Sequence, residues 1–180
     1  MDAKQIKEDG LKLYREARYE EAAAKFVEAQ QAFVTAGDPK EAAECINNRG
    51  VCWRQAAKFD EAIAAFEEAR AAFQALHDAM GEGQVLGNLA ALAESKGEVK
   101  PALELYQQAA DIFEKLDAQA YAKDTYIAMS KLQLKQRDFM GAIASFDVGL
   151  AQLDNPNLME RMARKILGGG QPKPDDGKTE

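Results

Sequence analysis

The chain has 180 residues, with 30 acidic and 23 basic side chains and a formal net charge of −7. This charge argues against general nucleic-acid binding, because phosphates require a basic protein face. No run approaches the roughly 18 consecutive apolar residues of a membrane span, and the charged start MDAKQIKEDG lacks the apolar stretch of a secretory signal. We therefore predict a single domain, without a membrane contact, in the cytoplasm.

An apolar stripe recurs four times along the chain, with each copy 40 residues after the previous one. Its internal spacing of four, three and four places the members on one face of a helix. Alanine or glycine at alternate members lets a neighbouring helix approach, and the aromatic ring between them fills the gap. A fixed period of this size indicates a helical repeat array. The copies are Ala22–Phe26–Ala29–Phe33, Ala62–Phe66–Ala69–Phe73, Ala102–Tyr106–Ala109–Phe113 and Ala142–Phe146–Gly149–Leu153.

A second helical pattern precedes each stripe. Each repeat is therefore predicted to be two antiparallel helices, A and B, joined by a short turn at Tyr19, Phe59, Val99 or Phe139. The helix A patterns are Ile6–Gly10–Leu13, Ile46–Gly50–Trp53, Leu86–Ala90–Ala93 and Tyr126–Ser130.

The first repeat, at about residues 3–37, differs from the others on the face that would meet a preceding repeat. Gln5 and Lys12 stand there, where the later repeats carry mostly apolar residues. We therefore expect the array to start at this repeat and the chain to be a complete solenoid.

The second repeat, at 38–77, opens with Asp38-Pro39-Lys40-Glu41, which predicts a helix N-cap followed by proline at the first helical position. Cys45 and Cys52 follow on the same helix. Two helical turns separate them by roughly 10 Å, which is too far for a disulfide. We expect both to be small buried hydrophobes at the contact with the first repeat.

The third repeat, at 78–117, contains the glycine-rich segment from Gly81 to Gly87. The spacing is wrong for a phosphate loop and no strand precedes it, so we interpret it as loop flexibility where helix A begins. Gly97 is predicted to end helix A and Pro101 to open helix B.

The fourth repeat, at 118–155, ends at Asn155-Pro156. Residues 156–168 form a short amphipathic pattern that predicts a helix capping the open face of the last repeat. Residues 169–180 are predicted to be a disordered tail.

Helix B matches the Ala-x3-aromatic-x2-Ala pattern of the tetratricopeptide repeat (TPR) family, and Gly10 and Gly50 match its helix A glycine. The chain therefore resembles a TPR protein over about residues 3–155. The resemblance implies an all-α, right-handed α–α superhelical solenoid of four TPR helix pairs plus the C-terminal capping helix. The 40-residue repeats resemble those of kinesin light chains and spindle-orientation adaptors, which carry peptides in their grooves.

In TPR arrays the A helices line a concave groove, so the resemblance implies a binding site on that face. On the predicted groove face, six basic residues against four acidic ones leave a local charge of +2, which favours a ligand with an acidic stretch. Asn48 and Asn88 resemble the asparagines that hold a peptide backbone in long-repeat TPR adaptors; the alternative is two polar residues on an exposed face. The predicted site residues are Lys7, Leu11, Tyr14, Arg15, Asn47, Asn48, Val51, Arg54, Asn88, Ile127 and Lys131.

No nucleophile–base pair or metal-ligand set can be assembled from the sequence, and His77 is the single histidine. We predict a non-enzymatic TPR scaffold, without a cofactor, that binds a protein or peptide segment in its groove as a monomer or weak homo-oligomer. The alternative is a structural module that self-associates through the groove or the C-terminal helix.

Overall fold

The computed structural model describes residues 2–151, and within that range every element is a helix. Four consecutive helix pairs form an all-α, right-handed superhelical solenoid. Each pair supplies one A helix and one B helix, and the predicted capping helix at 156–168 and tail at 169–180 lie outside the described residues. The elements are α1 (Ala3–Arg15), α2 (Tyr19–Thr35), α3 (Pro39–Gln55), α4 (Phe59–Ala75), α5 (Ala79–Ser95), α6 (Val99–Lys115), α7 (Gln119–Lys135) and α8 (Phe139–Ala151).

Three residues connect every consecutive pair of helices, and all seven connections end the preceding helix in the same way. One residue adopts a positive φ, and the next backbone N–H reaches back five residues, as Arg18 does to Leu13 at 3.0 Å. This is the Schellman motif, which satisfies the last carbonyls of a helix. The positive-φ residues are Ala17, Gly37, Ala57, His77, Gly97, Asp117 and Arg137.

Aspartates begin the first three A helices. The carboxylates of Asp2, Asp38 and Asp78 accept hydrogen bonds from backbone N–H groups in the first turns of α1, α3 and α5. The Asp38-Pro39 start of α3 is confirmed. Two other boundary predictions need correction: Tyr19 and its equivalents are the first residues of the B helices rather than turn residues, and Pro101 is the third residue of α6 rather than its first.

The repeated stripe forms the core. Its members in the first three repeats have exposures of at most 6%, and the alanines at 22, 29, 62, 69, 102 and 109 are fully buried. Gly50 shows why small residues are needed, because a Cβ there would lie 2.6 Å from the ring of Phe66. Such a distance is shorter than any packed carbon pair, so at this position α3 can approach α4 this closely only because Gly50 has no side chain.

Cys45 and Cys52 are fully buried and belong to one apolar cluster with Ala22, Phe26 and Phe33 of the first repeat. The prediction that they fill the contact between repeats 1 and 2, hereafter the first seam, is confirmed. Burial raises the pKa of both thiols to about 12, from an ordinary value of 9.0.

The far end of the fourth repeat presents apolar surface. Met140 is 78% and Phe139 is 61% exposed. Beside them lies a hollow of about 220 Å³ between Leu134, Ile143 and Phe146. This is the face that the predicted capping helix would cover.

Candidate functional site

Side chains on consecutive A helices contact one another across each seam, and this shared side of α1, α3, α5 and α7 is called the groove face here. At the first seam, Lys7 Nζ lies 2.7 Å from Glu41 Oε2 and 2.6 Å from Glu44 Oε2. Burial alone would lower the pKa of Lys7, but hydrogen bonds and attraction from the two carboxylates outweigh it and raise the pKa above 10.5. Lys7 is therefore a cross-link between repeats, with its charge already matched.

Tyr14 adds a second link at the first seam, because its hydroxyl accepts a 3.2 Å hydrogen bond from Gln55 Nε2. Leu11 is half-buried and packs against the apolar cluster of that seam. These two predicted site residues stand on the groove face, but both also hold the first two repeats together.

The two predicted asparagines are not equivalent. Asn88 Nδ2 donates a 2.9 Å hydrogen bond to Asn47 Oδ1, so these amides link α5 to α3. Asn48 is half-buried and has no hydrogen-bond partner in the described part of the chain. Of the two predicted asparagines, Asn48 therefore has the free amide, while Asn88 has one of its two N–H donors already engaged.

Arg54 lies further along α3 and is half-buried. Its Nε is buried and has no hydrogen-bond partner among residues 2–151. It approaches Tyr106, whose hydroxyl donates to Glu94 Oε2 at 3.4 Å. Burial and the nearby Glu94 raise the pKa of Tyr106 to about 12, against an opposing effect of Arg54. Lys135 forms an ion pair with the other oxygen of Glu94, which links α7 to α5.

The remaining predicted residues lie on the A helices without such links. Arg15 and Lys131 are exposed, and Val51 and Ile127 are half-buried. No ion pair involves Arg15 or Lys131 within the described region. Of the basic residues in the predicted site, Arg15, Arg54 and Lys131 thus keep an unmatched charge.

A cavity of about 340 Å³ opens on the groove face between α5 and α7, at the contact of repeats 3 and 4, hereafter the third seam. It is called the Gly87 cavity because that residue leaves it open: a Cβ on Gly87 would meet no atom within 4 Å. The volume lies at the lower end of the range for small-molecule and side-chain pockets. The lining residues are Asn47, Gly83, Gln84, Gly87, Asn88, Tyr106, Phe113, Tyr121, Asp124, Thr125 and Ala128.

The glycine-rich segment that we interpreted as a flexible loop is helical, because α5 begins at Ala79 and continues through Gly87. Gly81 and Gly83 are buried and admit the rings of Phe73 and Phe113, respectively. The interpretation as a loop was wrong because tertiary packing overrides the low helix propensity of glycine. The spacing of Gly83 and Gly87, one helical turn apart, is the signal that would have revealed the cavity.

Metal-binding clusters and membrane-spanning helices are both absent from the described residues. Within residues 2–151, no cluster of three or more His, Cys, Asp or Glu side chains could hold a metal ion. No helix of the described region is long and apolar enough to cross a membrane.

Four stacked helix pairs with a groove face on their A helices define a TPR-type repeat protein, as the sequence predicted. The chain belongs to the soluble NSF attachment protein (SNAP) family, whose sequence profile matches residues 2–167. Such TPR- and SNAP-like families are generally non-catalytic scaffolds.

Two solved structures share the fold. BtubC (BKLC) from P. vanneervenii is 22% identical, with a TM-score of 0.70 over 99% of this chain and 69% of that one. PilF of Pseudomonas aeruginosa is 17% identical, with a TM-score of 0.50 over 93% of this chain and 83% of that one. At these identities the likeness concerns the fold alone. A search of curated proteins gives no match.

Proposed function

We propose that this protein is a non-enzymatic scaffold that binds a segment of a partner protein along its groove face. The family name describes attachment proteins, which agrees with a role in joining other proteins. The predicted peptide-groove likeness to kinesin light chains and spindle-orientation adaptors belongs to this proposal, as does the predicted cytoplasmic location.

The observation that carries the proposal is the free amide of Asn48 on a face where several other polar side chains already link successive repeats. The links from Lys7, Tyr14, Asn47 and Glu94 hold the A helices in place across successive seams. A surface that is rigid before binding loses little conformational freedom when a ligand arrives. One amide supplies a donor and an acceptor, which match a peptide unit of the ligand whatever its side chains.

Charge favours a segment that carries an acidic side chain near α3. Arg54 is half-buried and lacks a carboxylate partner in the described structure, and its Nε donor is unused. A ligand carboxylate would supply the partner that the guanidinium lacks, through charge-assisted hydrogen bonds. Exposed Arg15 and Lys131 would attract the same kind of segment at longer range.

The test begins with affinity capture from source lysate on the immobilised full chain, followed by calorimetric titration of each captured protein. Asn48→Ala should weaken binding by about 2- to 10-fold, the value of one hydrogen bond. Arg54→Gln should weaken it further and flatten its dependence on salt. Glu67→Gln and Gln108→Ala on the B helices are matched controls and should bind like the parent chain.

Lys7 is excluded from the variants because its loss would disturb the first seam rather than the ligand contact. A partner that binds the Asn48→Ala/Arg54→Gln double variant as tightly as the parent would show that the contact lies elsewhere. The groove proposal would then be wrong.

Self-association is the second candidate function, and the exposed end of the fourth repeat favours it. Leu134, Phe139 and Met140 present apolar surface there. Light scattering over a wide concentration range distinguishes the two candidates. A mass that rises with concentration and returns to the monomer value in a Phe139→Ser/Met140→Ser variant would support assembly through this end.

A further inference from the structure

We propose that the Gly87 cavity binds one basic side chain, arginine above all, of the segment held in the groove. The inference rests on the proposed groove function and specifies part of its ligand. Three observations carry it: the open space beside Gly87, the aromatic walls of the cavity and the single charged residue in its lining.

Gly87 has no packing reason to be glycine. The buried glycines at 81 and 83 each admit an aromatic ring, and a Cβ at either would lie less than 3 Å from it. Gly87 stands inside α5 and admits nothing, since a Cβ there would meet open space. Glycine makes a helix less stable than alanine does. Gly87 therefore costs stability, and what the helix gains from it is the open space of the cavity.

The equivalent positions in the other repeats are filled. Lys7, Asn47 and Ile127 occupy them, and Lys7 and Asn47 make cross-links between repeats. The third seam is therefore the place where the groove face is left hollow at this position.

Aromatic rings form the walls of the hollow. Phe113 and Tyr121 lie with ring centroids 5.2 Å apart and an interplanar angle of 32°. Phe113 is buried, whereas Tyr121 is 47% exposed at the rim. An exposed ring beside a cavity offers its face to the stem of a long side chain and to a cation above it.

The negative charge of Asp124 at the rim favours a side chain that ends in a positively charged group. Asp124 is the one charged residue among those that line the cavity in the described structure. Its side chain is 76% exposed, and its ion contact is Lys123 Nζ at 3.9 Å, the limit of such a pair. Gln84 holds the equivalent place on α5 and has no hydrogen-bond partner in residues 2–151. A carboxylate and an amide oxygen that line the same hollow suit a planar group with several donors.

Two nearby positive charges would oppose a cation: Lys123 Nζ lies 3.9 Å from Asp124, and Arg54 approaches Tyr106 at the cavity wall. Neither of these two residues lines the cavity, and Glu94, which accepts a hydrogen bond from the hydroxyl of Tyr106, is ion-paired with Lys135. Among the residues that line the cavity, the charge is therefore that of Asp124, and the net charge of −7 on the whole chain also favours a cation.

The experiment uses small probes on the full chain, so that no partner has to be known. N-acetyl-arginine methylamide, its uncharged isostere N-acetyl-citrulline methylamide and N-acetyl-norleucine methylamide are titrated while backbone amide signals are followed by NMR. The arginine probe should shift the signals of Gly83 and Gly87 with a Kd on the order of 1 mM. Citrulline should bind roughly 3-fold more weakly.

Three variants locate the site. Gly87→Leu should fill the hollow, keep the helix and weaken the arginine probe by at least about 10-fold. Asp124→Asn should lower arginine binding to the citrulline level and leave citrulline unchanged. Glu67→Gln removes the same charge from a B helix and should change neither probe.

The inference is overturned if no probe shifts Gly83 or Gly87, if norleucine binds as well as arginine, or if Gly87→Leu, shown by circular dichroism to be folded, still binds the arginine probe. Failure here is separable from failure of the groove proposal. Probes that fail while Asn48→Ala loses its partner remove the cavity and keep the groove. If the probes bind while the Asn48→Ala/Arg54→Gln variant keeps its partner, the cavity site stands and the groove proposal fails.

Discussion

The first and third seams join helix pairs of the same kind, but the side chains on their groove faces differ. At the first seam, Lys7 lies between Glu41 and Glu44 and closes the surface with an ion-paired link. At the third seam, Gly87 occupies the equivalent position and leaves a cavity of about 340 Å³. The stripe on the B helices is nearly constant, because every seam must bury it. The groove face varies more, because each seam links its A helices through different side chains.

The two seams should respond differently to alkali, and this is the largest effect that we expect. The first seam buries two thiols, whereas Thr125 and Leu132 hold the equivalent positions at the third. Burial raises the pKa of Cys45 and Cys52 to about 12, from 9.0 in the unfolded chain. Above pH 9 the unfolded state releases protons that the folded state keeps, so stability falls as pH rises.

For two thiols the free energy of unfolding should drop by about 3 kcal/mol between pH 8 and pH 10. Denaturant titrations at a series of pH values measure it. A Cys45→Ala/Cys52→Ala variant should lose much less over that interval. An equal loss in the variant would assign the alkaline sensitivity to other groups.

Gly83→Ala should give the next largest change in stability, and it tests the packing of Phe113 at the wall of the Gly87 cavity. The new Cβ would lie 2.8 Å from Cε1 of Phe113, so the ring or the helix has to move. We expect a loss of roughly 1–2 kcal/mol from overpacking, after the gain in helix propensity is subtracted. Chemical denaturation measures this loss. An unchanged midpoint would mean that the ring of Phe113 moves aside without a cost in stability.

Lys7→Met tests the closed seam, because it leaves two half-buried carboxylates facing each other. We expect a loss of about 1 kcal/mol that shrinks in high salt. Lys25→Met is the control, since Lys25 forms an exposed i,i+3 pair with Glu28 and should change stability by less than about 0.5 kcal/mol. Equal losses of stability in the two variants would mean that the Lys7 link contributes no more than an ordinary surface ion pair.

Gly87→Ala should give the smallest effect and the opposite sign to Gly83→Ala. A methyl group there enters open space, so only helix propensity changes. We expect a gain of roughly 0.5–1 kcal/mol in unfolding free energy. A loss instead would show that Gly87 makes a close approach, which would remove the main argument for an open cavity.

The helix pairs and their core were predictable from the sequence because packing imposes a period. Ala62, Phe66 and Phe73 repeat a pattern that only one helical face can satisfy, and all three are buried. The thiols at the first seam followed from the same reasoning, since their positions align with apolar residues in later repeats. Periodicity also placed the A helices on a shared face.

The chemistry of the groove was less predictable, because it depends on which side chains reach each other across a seam. Asn48 and Asn88 look equivalent in the sequence, yet only Asn88 meets the side chain of Asn47. Lys7 looked available to a ligand, whereas two glutamates of the next repeat match its charge. Gly83 and Gly87 looked like a loop, because local propensity does not record the ring of Phe113 that one of them admits.

The helices α2 to α7 all have 17 residues, and every connection has three, so half of each repeat advances the chain by the same step. In evolutionary terms, a 40-residue unit can be duplicated or deleted without shifting the frame of the helices that remain. Removal of residues 38–77 would join Lys7 to a repeat that offers Gly81 and Gln84 where Glu41 and Glu44 stood. Duplication or deletion of a repeat therefore preserves the helix pairs but not the side-chain links between neighbouring repeats. A new seam starts without such links.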